Sequence, residues 1–495
     1  MRINILIGGE AGQGPNILAN IIGEVLARKG YYVFCSRNYE SRVRGGHNFN
    51  TLTFSEKPVY SNDLKIDILI SLDKKTKEIH KDKIKKNTIV LSEHKNNLYF
   101  AGRLIKILKL NFEELKKEIM KINKNTEENL KNAREGFDEE EKFLGIGEPD
   151  RKEKDYINGS QGIADGAVKS GIDLYYAYPM TPATGVLNEL SSRQKKENIL
   201  ALEMESELSA INSAVGSSIT GAKVMIGTSG GGFDLMSEAI SLTGMAEIPI
   251  VIYLASRPGP STGLPTLTAQ PDLNAARNSG HGEFPRFVVA PGEPKEAQEL
   301  TSHAFYFSQK FKIPSIILSD KHLAESFCTI YEKPEIISSK KSIFLKKYSG
   351  NETDELGFTT FNPEIARKNA GKRLKKIKEI EKESGRFERY KIYGDKKSRN
   401  VIVGWGSTKG AILDSIKDLK CKFVQILYIE PFPKEIAKEL EGNLILVENN
   451  LTGQLGNLIT EKTGIIFKEE NKILRYDGMP FLADELEEEI ERRLK

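Results

Sequence analysis

The sequence predicts an α/β protein built from three consecutive domains. Its 495 residues allow about three domains at roughly 150 residues each. In three stretches, short apolar runs alternate with longer segments of helical apolar periodicity, which is the pattern of a sheet covered by helices. Two charged connectors separate these stretches. The predicted domains are therefore residues 1–125, 156–335 and 399–495, with a charged linker at 126–155 and a basic helical connector at 336–398.

The first domain opens with a strand, a glycine turn, a helix and a second strand. Their sequences are INILI, GGEAGQG, NILANIIGEVLARKG and YYVFCS, and the later runs IDILISL and TIVLSE fit further strands. This order predicts an α/β unit with parallel strands. The turn holds Gly8, Gly9, Gly12 and Gly14, which would let backbone N–H groups approach a phosphate. Because the spacing is GxxGxG rather than GxGxxG, a tight turn that binds nothing is the favoured alternative.

A second candidate in this domain is the segment YESRVRGGHNFNTLTF. Arg42 and Arg44 precede the glycine pair 45–46, and two arginines beside a flexible pair can bind a phosphate or a carboxylate. A salt bridge within the loop explains the same residues equally well. The segment that follows the domain, 126–155, is polar with little apolar periodicity, which indicates a partly helical linker.

The second domain is the least charged part of the chain. Its predicted elements alternate between helix and strand and end in two strands around a long helix. In chain order they are GSQGIADGAVKSG, LYYAY, ESELSAINSAVGSSITG, KVMIGTS, FDLMSEAISLTGMAE, PIVIYLAS, RFVVA, EPKEAQELTSHAFYFSQKF and PSIILSD. This alternation predicts an α/β/α domain.

Two motifs of this domain lie where a strand ends. In YAYPMTPATG, Pro179 and Pro182 stop the strand and hold Thr181 in a stiff turn. In ASRPGPSTGLPT, Arg257 follows an apolar strand, and the carboxyl ends of strands are where open α/β sheets bind ligands. From position alone, a surface arginine is the more ordinary interpretation of Arg257.

Two further motifs lie where a helix begins. ALEMESELSA places Glu203, Glu205 and Glu207 around a strand-to-helix transition. A carboxylate that enters an apolar helix costs free energy unless it bonds to a protonated group, although charge at a helix N-terminus is the ordinary explanation. GTSGGGFDLM frees backbone N–H groups after Ser229 and Gly230, which suits an anion or a flat ring, or a simple βα connection.

The last part of the chain predicts another small α/β domain. Strands NVIVGWG, KFVQILYIE and NLILVEN alternate with helices TKGAILDSIKDL and GQLGNLITEKTG. The connector before it holds the basic helix EIARKNAGKRLKKIKEIEKESG, whose apolar repeat is too short for a coiled coil.

Composition excludes several classes of protein. A formal net charge of +4 against 73 basic and 69 acidic side chains gives no indication of nucleic-acid binding. The cysteines, Cys35, Cys328 and Cys421, form no CxxC pair, and the six histidines form no ligand pattern, so spacing predicts no metal site on this chain. An odd number of cysteines and the lack of a long apolar run predict a cytoplasmic protein that does not enter a membrane.

Together the motifs resemble one family. YPMTPAT, EMESELSA, TSGGGFDLM and SRPGPSTGLPTLTAQPDL are similar, in order and spacing, to the α subunit of 2-oxoacid:ferredoxin oxidoreductases. GGEAGQG with SRVRGGHNFN resembles that family's γ domain, and VIVGWGSTKGAILDSI with VENNLTGQLGNLI resembles its transketolase-C-like domain. The chain thus resembles a γ–α fusion of the 2-oxoglutarate or broad 2-oxoacid type.

The resemblance implies an enzyme that uses thiamine diphosphate. It would decarboxylate a 2-oxoacid and form an acyl-coenzyme A, CO₂ and reduced ferredoxin, and the reverse direction would use the same residues. The second domain would bind the pyrimidine half of the cofactor. In the family, Mg²⁺ and a [4Fe–4S] cluster lie on a separate β subunit, which implies a heterotetramer of two α and two β subunits.

The resemblance also assigns roles to residues. Glu207 matches the carboxylate that hydrogen-bonds the pyrimidine ring nitrogen, which activates the cofactor for attack on the substrate. Thr181 and Arg257 match residues that face the substrate's carboxylate. Pro179, Ser229 and Gly230 are expected to contact the cofactor, together with Glu207 and Thr181.

The chain departs from the family pattern at several positions. Met180 and Ala183 stand where Ile and Ser are frequent, Gly231 stands where Pro is common, and Leu267 and Ala269 stand where Lys and Glu are frequent. The last two differences bear on substrate choice or on contacts with the partner. Two other hypotheses remain: a nucleotide-dependent dehydrogenase that uses the N-terminal glycine turn, and a non-catalytic homologue, against which the presence of all three catalytic candidates argues.

Overall fold

A computed structural model gives the fold. The structure describes residues 1–40, 45–92, 96–122, 125–149, 153–342 and 346–494. The chain forms two compact units. The first unit comprises Met1–Asn158, Ser326–Glu332 and Phe481–Glu488, and the second comprises Gly159–Glu325, Lys333–Pro480 and Glu489–Lys495.

The helices and strands are numbered here in chain order. The N-terminal part of the chain contains β1 (Arg2–Glu10), α1 (Pro15–Arg28), β2 (Tyr32–Tyr39), β3 (His47–Ser55), β4 (Ile66–Ser71), α2 (Thr76–Ile79), β5 (Ile84–Leu91), α3 (Asn97–Ile107), α4 (Phe112–Ile119), α5 (Thr126–Glu139) and β6 (Asp155–Asn158). The middle part contains α6 (Gly159–Lys169), β7 (Leu174–Ala177), α7 (Thr184–Glu197), β8 (Leu200–Glu203), α8 (Glu207–Ile219), β9 (Val224–Thr228), α9 (Gly230–Leu235), α10 (Ser237–Ala246), β10 (Ile250–Ser256), α11 (Leu273–Asn278), β11 (Phe287–Val289), α12 (Pro294–Phe311), β12 (Pro314–Asp320), α13 (Lys321–Glu325) and β13 (Phe327–Ile330). The C-terminal part contains α14 (Pro363–Ser384), β14 (Tyr390–Gly394), β15 (Asn400–Trp405), α15 (Thr408–Ser415), β16 (Lys422–Ile426), β17 (Tyr428–Glu430), β18 (Asn443–Glu448), α16 (Gln454–Thr463), β19 (Lys472–Leu474) and α17 (Ala483–Leu494).

The first unit is built on a seven-stranded sheet in the order β5-β4-β1-β3-β2-β13-β6. β1 and β2 run in the same direction, as predicted, but they are not neighbours. β3 lies between them and is antiparallel to both. β3 begins directly after the glycine pair 45–46 and was not among the strands that the sequence predicts. The sheet is therefore mixed, and its apolar side chains pack under α1, α3 and α4.

The charged segment predicted as a linker forms α5, which packs on α3 in the first unit. A Cβ atom at Gly102 of α3 would overlap the backbone carbonyl of Ala133 in α5. The two helix backbones therefore touch at this glycine, where any larger side chain would separate them. A buried ion pair between Arg103 Nε and Glu140 Oε2, 2.6 Å apart, follows the end of α5.

The second unit contains two sheets. The larger sheet has the order β17-β11-β12-β10-β9-β7-β8, and β11, β12, β10, β9, β7 and β8 are mutually parallel. Because β8 lies on one side of β7 and the later strands lie on the other, the strand order reverses between β7 and β9. This is a doubly wound sheet, and in such sheets ligands bind where the order reverses.

Alternate residues of the central strand β10 serve opposite faces of this sheet. Ile250, Ile252 and Leu254 belong to one apolar cluster, and Val251 and Tyr253 belong to the other. Both faces are covered by helices, which explains why the sequence of β10 is apolar without alternation.

The smaller sheet of the second unit has the order β14-β16-β15-β18-β19. It is joined to the larger sheet by β17, which pairs antiparallel with β11, and by a buried ion network. Lys409 Nζ lies 2.7 Å from both Glu293 and Glu296, and Gln425 Nε2 donates to Glu296 over 2.7 Å. Burial raises the pKa of Glu296, but Lys409 and Lys391 outweigh it and hold that pKa at about 2.

Three α/β parts are present, as the sequence predicts, but strand pairing crosses the predicted boundaries. β6 and β13 lie within the predicted second domain, yet they pair with each other and β13 pairs with β2 of the first sheet. β13 belongs to the first unit because its backbone pairs with β2 on one side and with β6 on the other. Among the described residues, no helix has the length and apolar content to cross a membrane.

Candidate active site

The sequence motifs of the second domain meet at the point where its sheet reverses strand order. The turn after β7 carries Pro179 and Thr181, and the glycine run after β9 carries Ser229 and Gly230. β7 and β9 are neighbours in the sheet, and β10, which ends just before Arg257, is the next strand. These loops therefore leave the same edge of the sheet side by side.

The turn after β7 is tied to the end of β10 by one hydrogen bond. The Nη1 atom of half-buried Arg257 donates to the carbonyl oxygen of Thr181 over 2.7 Å. Pro182 is buried, whereas Pro179 and the Thr181 side chain remain partly exposed. The bond to the turn thus orients the guanidinium, which has further N–H donors for a ligand.

Glu207 is the first residue of α8 and is 6% exposed. The preceding residue, Ser206, caps the helix by accepting a hydrogen bond from the backbone N–H of Ser209 over 3.2 Å. Glu203 and Glu205 are exposed. The structure therefore singles out Glu207 among the three glutamates of this motif as the buried carboxylate.

The glycine run lies directly against Glu207. A Cβ atom at Gly232 would come within 2.6 Å of Glu207 Cγ and still closer to the Thr228 hydroxyl, whereas a Cβ atom at Gly231 would meet nothing within 4 Å. Ser229 precedes α9 and is fully buried, and its hydroxyl has no hydrogen-bond partner among the described residues. A buried hydroxyl of this kind indicates a place for a ligand or water.

Asp272 is a residue of this site that the sequence analysis did not identify. Its carboxylate oxygens lie 3.0 and 3.1 Å from the position of a Cβ atom on Gly230, and Oδ2 is buried without a hydrogen-bond partner. Burial, with a smaller contribution from Asp234, raises the pKa of Asp272 to about 6, against the lowering effect of Ser256 and Arg257. The sequence offered only an acid in front of a short helix, a pattern common at helix starts.

The remaining candidates come from the first 50 residues of the chain. The glycine turn of the first unit forms the end of β1 and the start of α1, where Gly14 has φ 80° before Pro15. Arg42 and Arg44 fall outside the described residues. The described residues contain no cluster of three or more potential metal ligands.

The geometry offers two kinds of recognition at one edge. A buried carboxylate beside a glycine run can accept a hydrogen bond from a protonated ring nitrogen, since the site excludes water as a competitor. A guanidinium held beside a rigid turn can bind a carboxylate. The two groups suit a ring-bearing cofactor and an anionic substrate.

Comparison with known proteins identifies relatives for most of the chain. A family model described as "pyruvate flavodoxin/ferredoxin oxidoreductase, thiamine diP-bdg" matches residues 165–387. A second, described as "pyruvate ferredoxin/flavodoxin oxidoreductase", matches residues 4–127.

Individual relatives cover the whole chain. The α subunit of a 2-oxoacid:ferredoxin oxidoreductase from a Sulfolobus species is 33% identical over 619 residues, which span 100% of this chain and 97% of the relative. The 2-oxoglutarate synthase subunit KorA of Methanocaldococcus jannaschii is 27% identical and covers 68% of this chain and 99% of its own. In fold, the chain is similar to a 2-oxoglutarate:ferredoxin oxidoreductase from Magnetococcus marinus, solved with 2-oxoglutarate, coenzyme A and succinyl-CoA bound, with a TM-score of 0.90, 24% identity and full coverage of both chains.

Proposed function

Since the chain belongs to the α subunits of the 2-oxoacid:ferredoxin oxidoreductases, we propose that it supplies the thiamine-binding half of such an enzyme. The reaction is the oxidative decarboxylation of a 2-oxoacid with coenzyme A to acyl-coenzyme A, CO₂ and reduced ferredoxin. The observation that carries the proposal is the buried carboxylate of Glu207 against Gly232, beside the loops that hold Thr181 and Arg257.

The residues present fit the aminopyrimidine part of thiamine diphosphate. Glu207 offers a buried acceptor that packs against the glycine run, and the Ser229 hydroxyl, which has no partner among the described residues, offers a further polar contact. When bound, the cofactor supplies the carbanion that attacks the 2-oxo carbon. Pro179, Thr181 and Gly230 complete the wall of loops around this ring.

Glu207 acts on the cofactor through one hydrogen bond. Its place at the first residue of α8 fixes its backbone, and contact with Gly232 fixes its side chain. In a buried site the bond to a ring nitrogen is strong, so Glu207 holds a proton at that nitrogen and favours the reactive tautomer.

Thr181 and Arg257 act on the substrate. The hydroxyl of Thr181 and the free N–H groups of Arg257 are donors that suit the carboxylate of a 2-oxoacid. Because the turn around Thr181 is braced by two prolines and by the bond from Arg257, little side-chain freedom is lost when the substrate binds.

The active enzyme requires a second subunit. The relatives are named as α subunits, which supports a partner β subunit. We assign Mg²⁺, the cofactor's diphosphate and a [4Fe–4S] cluster to this β subunit, in a cytoplasmic heterotetramer of two α and two β subunits that delivers electrons to ferredoxin. The 2-oxoglutarate synthases among the relatives support 2-oxoglutarate or a broad range of 2-oxoacids as substrate.

The predicted segments keep their proposed roles. We assign the γ-type role to residues 1–125, the pyrimidine-binding role to 156–335 apart from β6 and β13, which pair in the first sheet, and the transketolase-C-like role to 399–495. The match of family models to residues 4–127 and 165–387 supports the first two roles.

Co-expression with the β subunit tests the function. The complex should reduce viologen dye or ferredoxin with coenzyme A and a 2-oxoacid, and the chain alone should not. Glu207→Gln should lower kcat by at least about a hundredfold, since general acid–base effects of this kind are worth roughly that much, and should leave the unfolding temperature unchanged.

The matched control is Glu205→Gln, which changes an exposed glutamate two residues away and should stay within about twofold of the parent rate, as expected for a surface substitution. Near-normal turnover of Glu207→Gln would remove that residue from the mechanism. A complex inactive with every 2-oxoacid, together with NAD(P)H binding by the isolated chain, would favour the dehydrogenase hypothesis instead.

A further inference from the structure

Asp272 is a buried charge at the edge of the candidate site. It lies at the start of α11, with its carboxylate beside Gly230 of the glycine run. Its Oδ2 atom has no hydrogen-bond partner among the described residues. A carboxylate left in this condition costs free energy in the folded state, and such costs persist mainly where function needs them.

The C-terminal part of the second unit holds Asp272 in place. The backbone N–H of Gln270 donates to the carbonyl oxygen of Asn449 over 2.6 Å, and the backbone N–H of Asn449 donates to Oε1 of Gln270 over 3.0 Å. Gln454 donates to the carbonyl of Pro271 over 2.7 Å and accepts from the N–H of Asn274 over 2.9 Å. Residues on both sides of Asp272 are therefore clamped, and its carboxylate has little freedom to move away from the site.

The charges around Asp272 are few. Arg257, at the end of β10, is its positively charged neighbour, and Asp234 of α9 is its negatively charged neighbour. Ser256, which precedes Arg257, is fully buried beside it. Because the Thr181 carbonyl already orients the guanidinium, Asp272 acts on Arg257 through its charge.

We propose that Asp272 is a specificity-determining residue that offsets the charge of Arg257 and so limits the affinity of the site for anionic substrates. This inference rests on the proposed role of Arg257 in binding the substrate's carboxylate. The repulsion grows with the charge of the substrate. Asp272 therefore disfavours a dicarboxylic 2-oxoacid more than a monocarboxylic one.

A pH dependence follows from the position of Asp272. Its pKa is raised to about 6, chiefly by burial, so the carboxylate is charged above pH 6 and neutral below it. Arg257 keeps its positive charge throughout this range. The KM for a 2-oxoacid should therefore fall as the pH falls through about 6, because the opposing charge disappears.

The test uses the α–β complex with pyruvate and 2-oxoglutarate between pH 5 and 8. At pH 7.5, Asp272→Asn should lower the KM for pyruvate about threefold, as expected for removal of one charge at moderate distance in a partly solvated site. It should lower the KM for 2-oxoglutarate by a larger factor than that for pyruvate, because the second carboxylate adds its own repulsion from Asp272. The KM of the variant should no longer change around pH 6.

Asp234→Asn provides a second, milder variant. Asp234 is exposed and raises the pKa of Asp272, so its removal should move the inflection of the KM–pH profile to lower pH. This readout does not depend on the folding of Asp272→Asn, and a merely structural role of Asp272 would not produce it.

The outcomes separate this inference from the proposed function. An unchanged or uniformly higher KM in Asp272→Asn, or a parent KM that is constant from pH 5 to 8 with no effect of Asp234→Asn, overturns the role of Asp272. In either case a parent complex that reduces dye leaves the proposed function standing. A parent complex with no activity overturns the proposed function itself.

Discussion

The side chain of Arg257 connects two loops, because it follows β10 and donates a hydrogen bond to the turn after β7. One N–H group donates to the Thr181 carbonyl over 2.7 Å, and the guanidinium carries four further N–H donors that a ligand can use. Position in the sequence favoured an ordinary surface arginine. The bond to the turn, between residues 76 positions apart, supports the proposal that the arginine belongs to the site.

Arg257→Ala should therefore raise the KM for the 2-oxoacid more than it lowers kcat. A hydrogen bond to a charged group is worth roughly 1.5–3 kcal/mol, which corresponds to about a 10–100-fold increase in KM. Arg257→Lys keeps the charge but loses the planar fork and should show an intermediate KM. Steady-state kinetics of the α–β complex give both constants, and an equal fall in kcat with an unchanged KM would contradict a role in substrate binding.

At the scale of single residues, sequence motifs supplied most of the candidates for the proposed site. Glu207, Thr181 and Arg257 were chosen by motif, and the structure brings their loops to one edge of the sheet. Asp272 was missed because its importance comes from its environment: the carboxylate is buried under Gly230 and near a guanidinium that precedes it by 15 residues of turn-rich chain. No local pattern encodes that burial.

Among the helices and strands, the short helix α9 is the one that packs directly against Glu207 in the candidate site. Gly231 and Gly232 are adjacent in it, yet one faces open space and the other faces Glu207 and Thr228. In the sequence the two residues cannot be distinguished, because both belong to a run of three glycines. Their difference follows from the direction in which each Cβ would point from the helix.

Gly232→Ala should displace Glu207, because the new methyl group would lie 2.6 Å from Glu207 Cγ. We expect at least about a tenfold loss of turnover, as 1 Å of misplacement at a reacting centre can cost more than that, together with weaker thiamine diphosphate binding. Turnover of the α–β complex and titration with the cofactor measure the two effects.

Gly231→Ala is the matched control. Its methyl group meets nothing within 4 Å, and alanine is favoured over glycine in a helix by up to about 1 kcal/mol. Turnover should stay within about twofold and the unfolding temperature should not fall. Equal losses of turnover in Gly231→Ala and Gly232→Ala would mean that the glycines are needed for the backbone conformation of the turn and not for the close packing of Glu207.

The elements that the sequence mispredicted have physical causes. The strand β3 begins directly after a glycine pair, which indicates a loop when only local sequence is considered, but two flanking strands hold it by backbone hydrogen bonds. The helix α5 has too few apolar residues for a clear pattern. It is stable because its backbone meets α3 at Gly102, a contact that local periodicity does not report.

For the whole molecule, the alternation of strands and helices was enough to predict three α/β parts, since this pattern depends on local periodicity. The sequence could not predict how the sheets are connected. Glu296 and Lys409 stand 113 residues apart and look like ordinary surface charges, yet both are at most 3% exposed and join the larger sheet of the second unit to the smaller.

Lys409→Met should destabilise the second unit strongly. Breaking a buried ion pair by removing one partner typically costs about 3–5 kcal/mol, and here the remaining contact of Glu296 with Lys391 at 3.2 Å should place the loss at the lower end of that range. The control Lys368→Met breaks the exposed pair with Glu355 and should cost less than about 1 kcal/mol. Urea unfolding of both variants gives the free energies, and Glu296→Leu combined with Lys409→Met should recover much of the loss.

The same network predicts a dependence of stability on pH. The pKa of Glu296 in the folded state, about 2, lies below its ordinary value of 4.5. Its contribution to stability is therefore complete above pH 4.5 and is lost as the pH falls from there toward 2. Comparison of acid unfolding in the parent and in the double variant isolates this contribution, and identical acid transitions would argue against it.

The strand order of the first sheet also has a consequence for synthesis on the ribosome. β6 joins that sheet only through β13, and β13 is made roughly 170 residues after β6, which at 5–20 residues per second takes on the order of 10–30 s. Throughout that interval the emerging polypeptide presents the free edge of β2, a template on which foreign strands can pair. A nascent chain of this kind is one that trigger-factor-like or Hsp70-like chaperones would be expected to shield until residue 330 has left the exit tunnel.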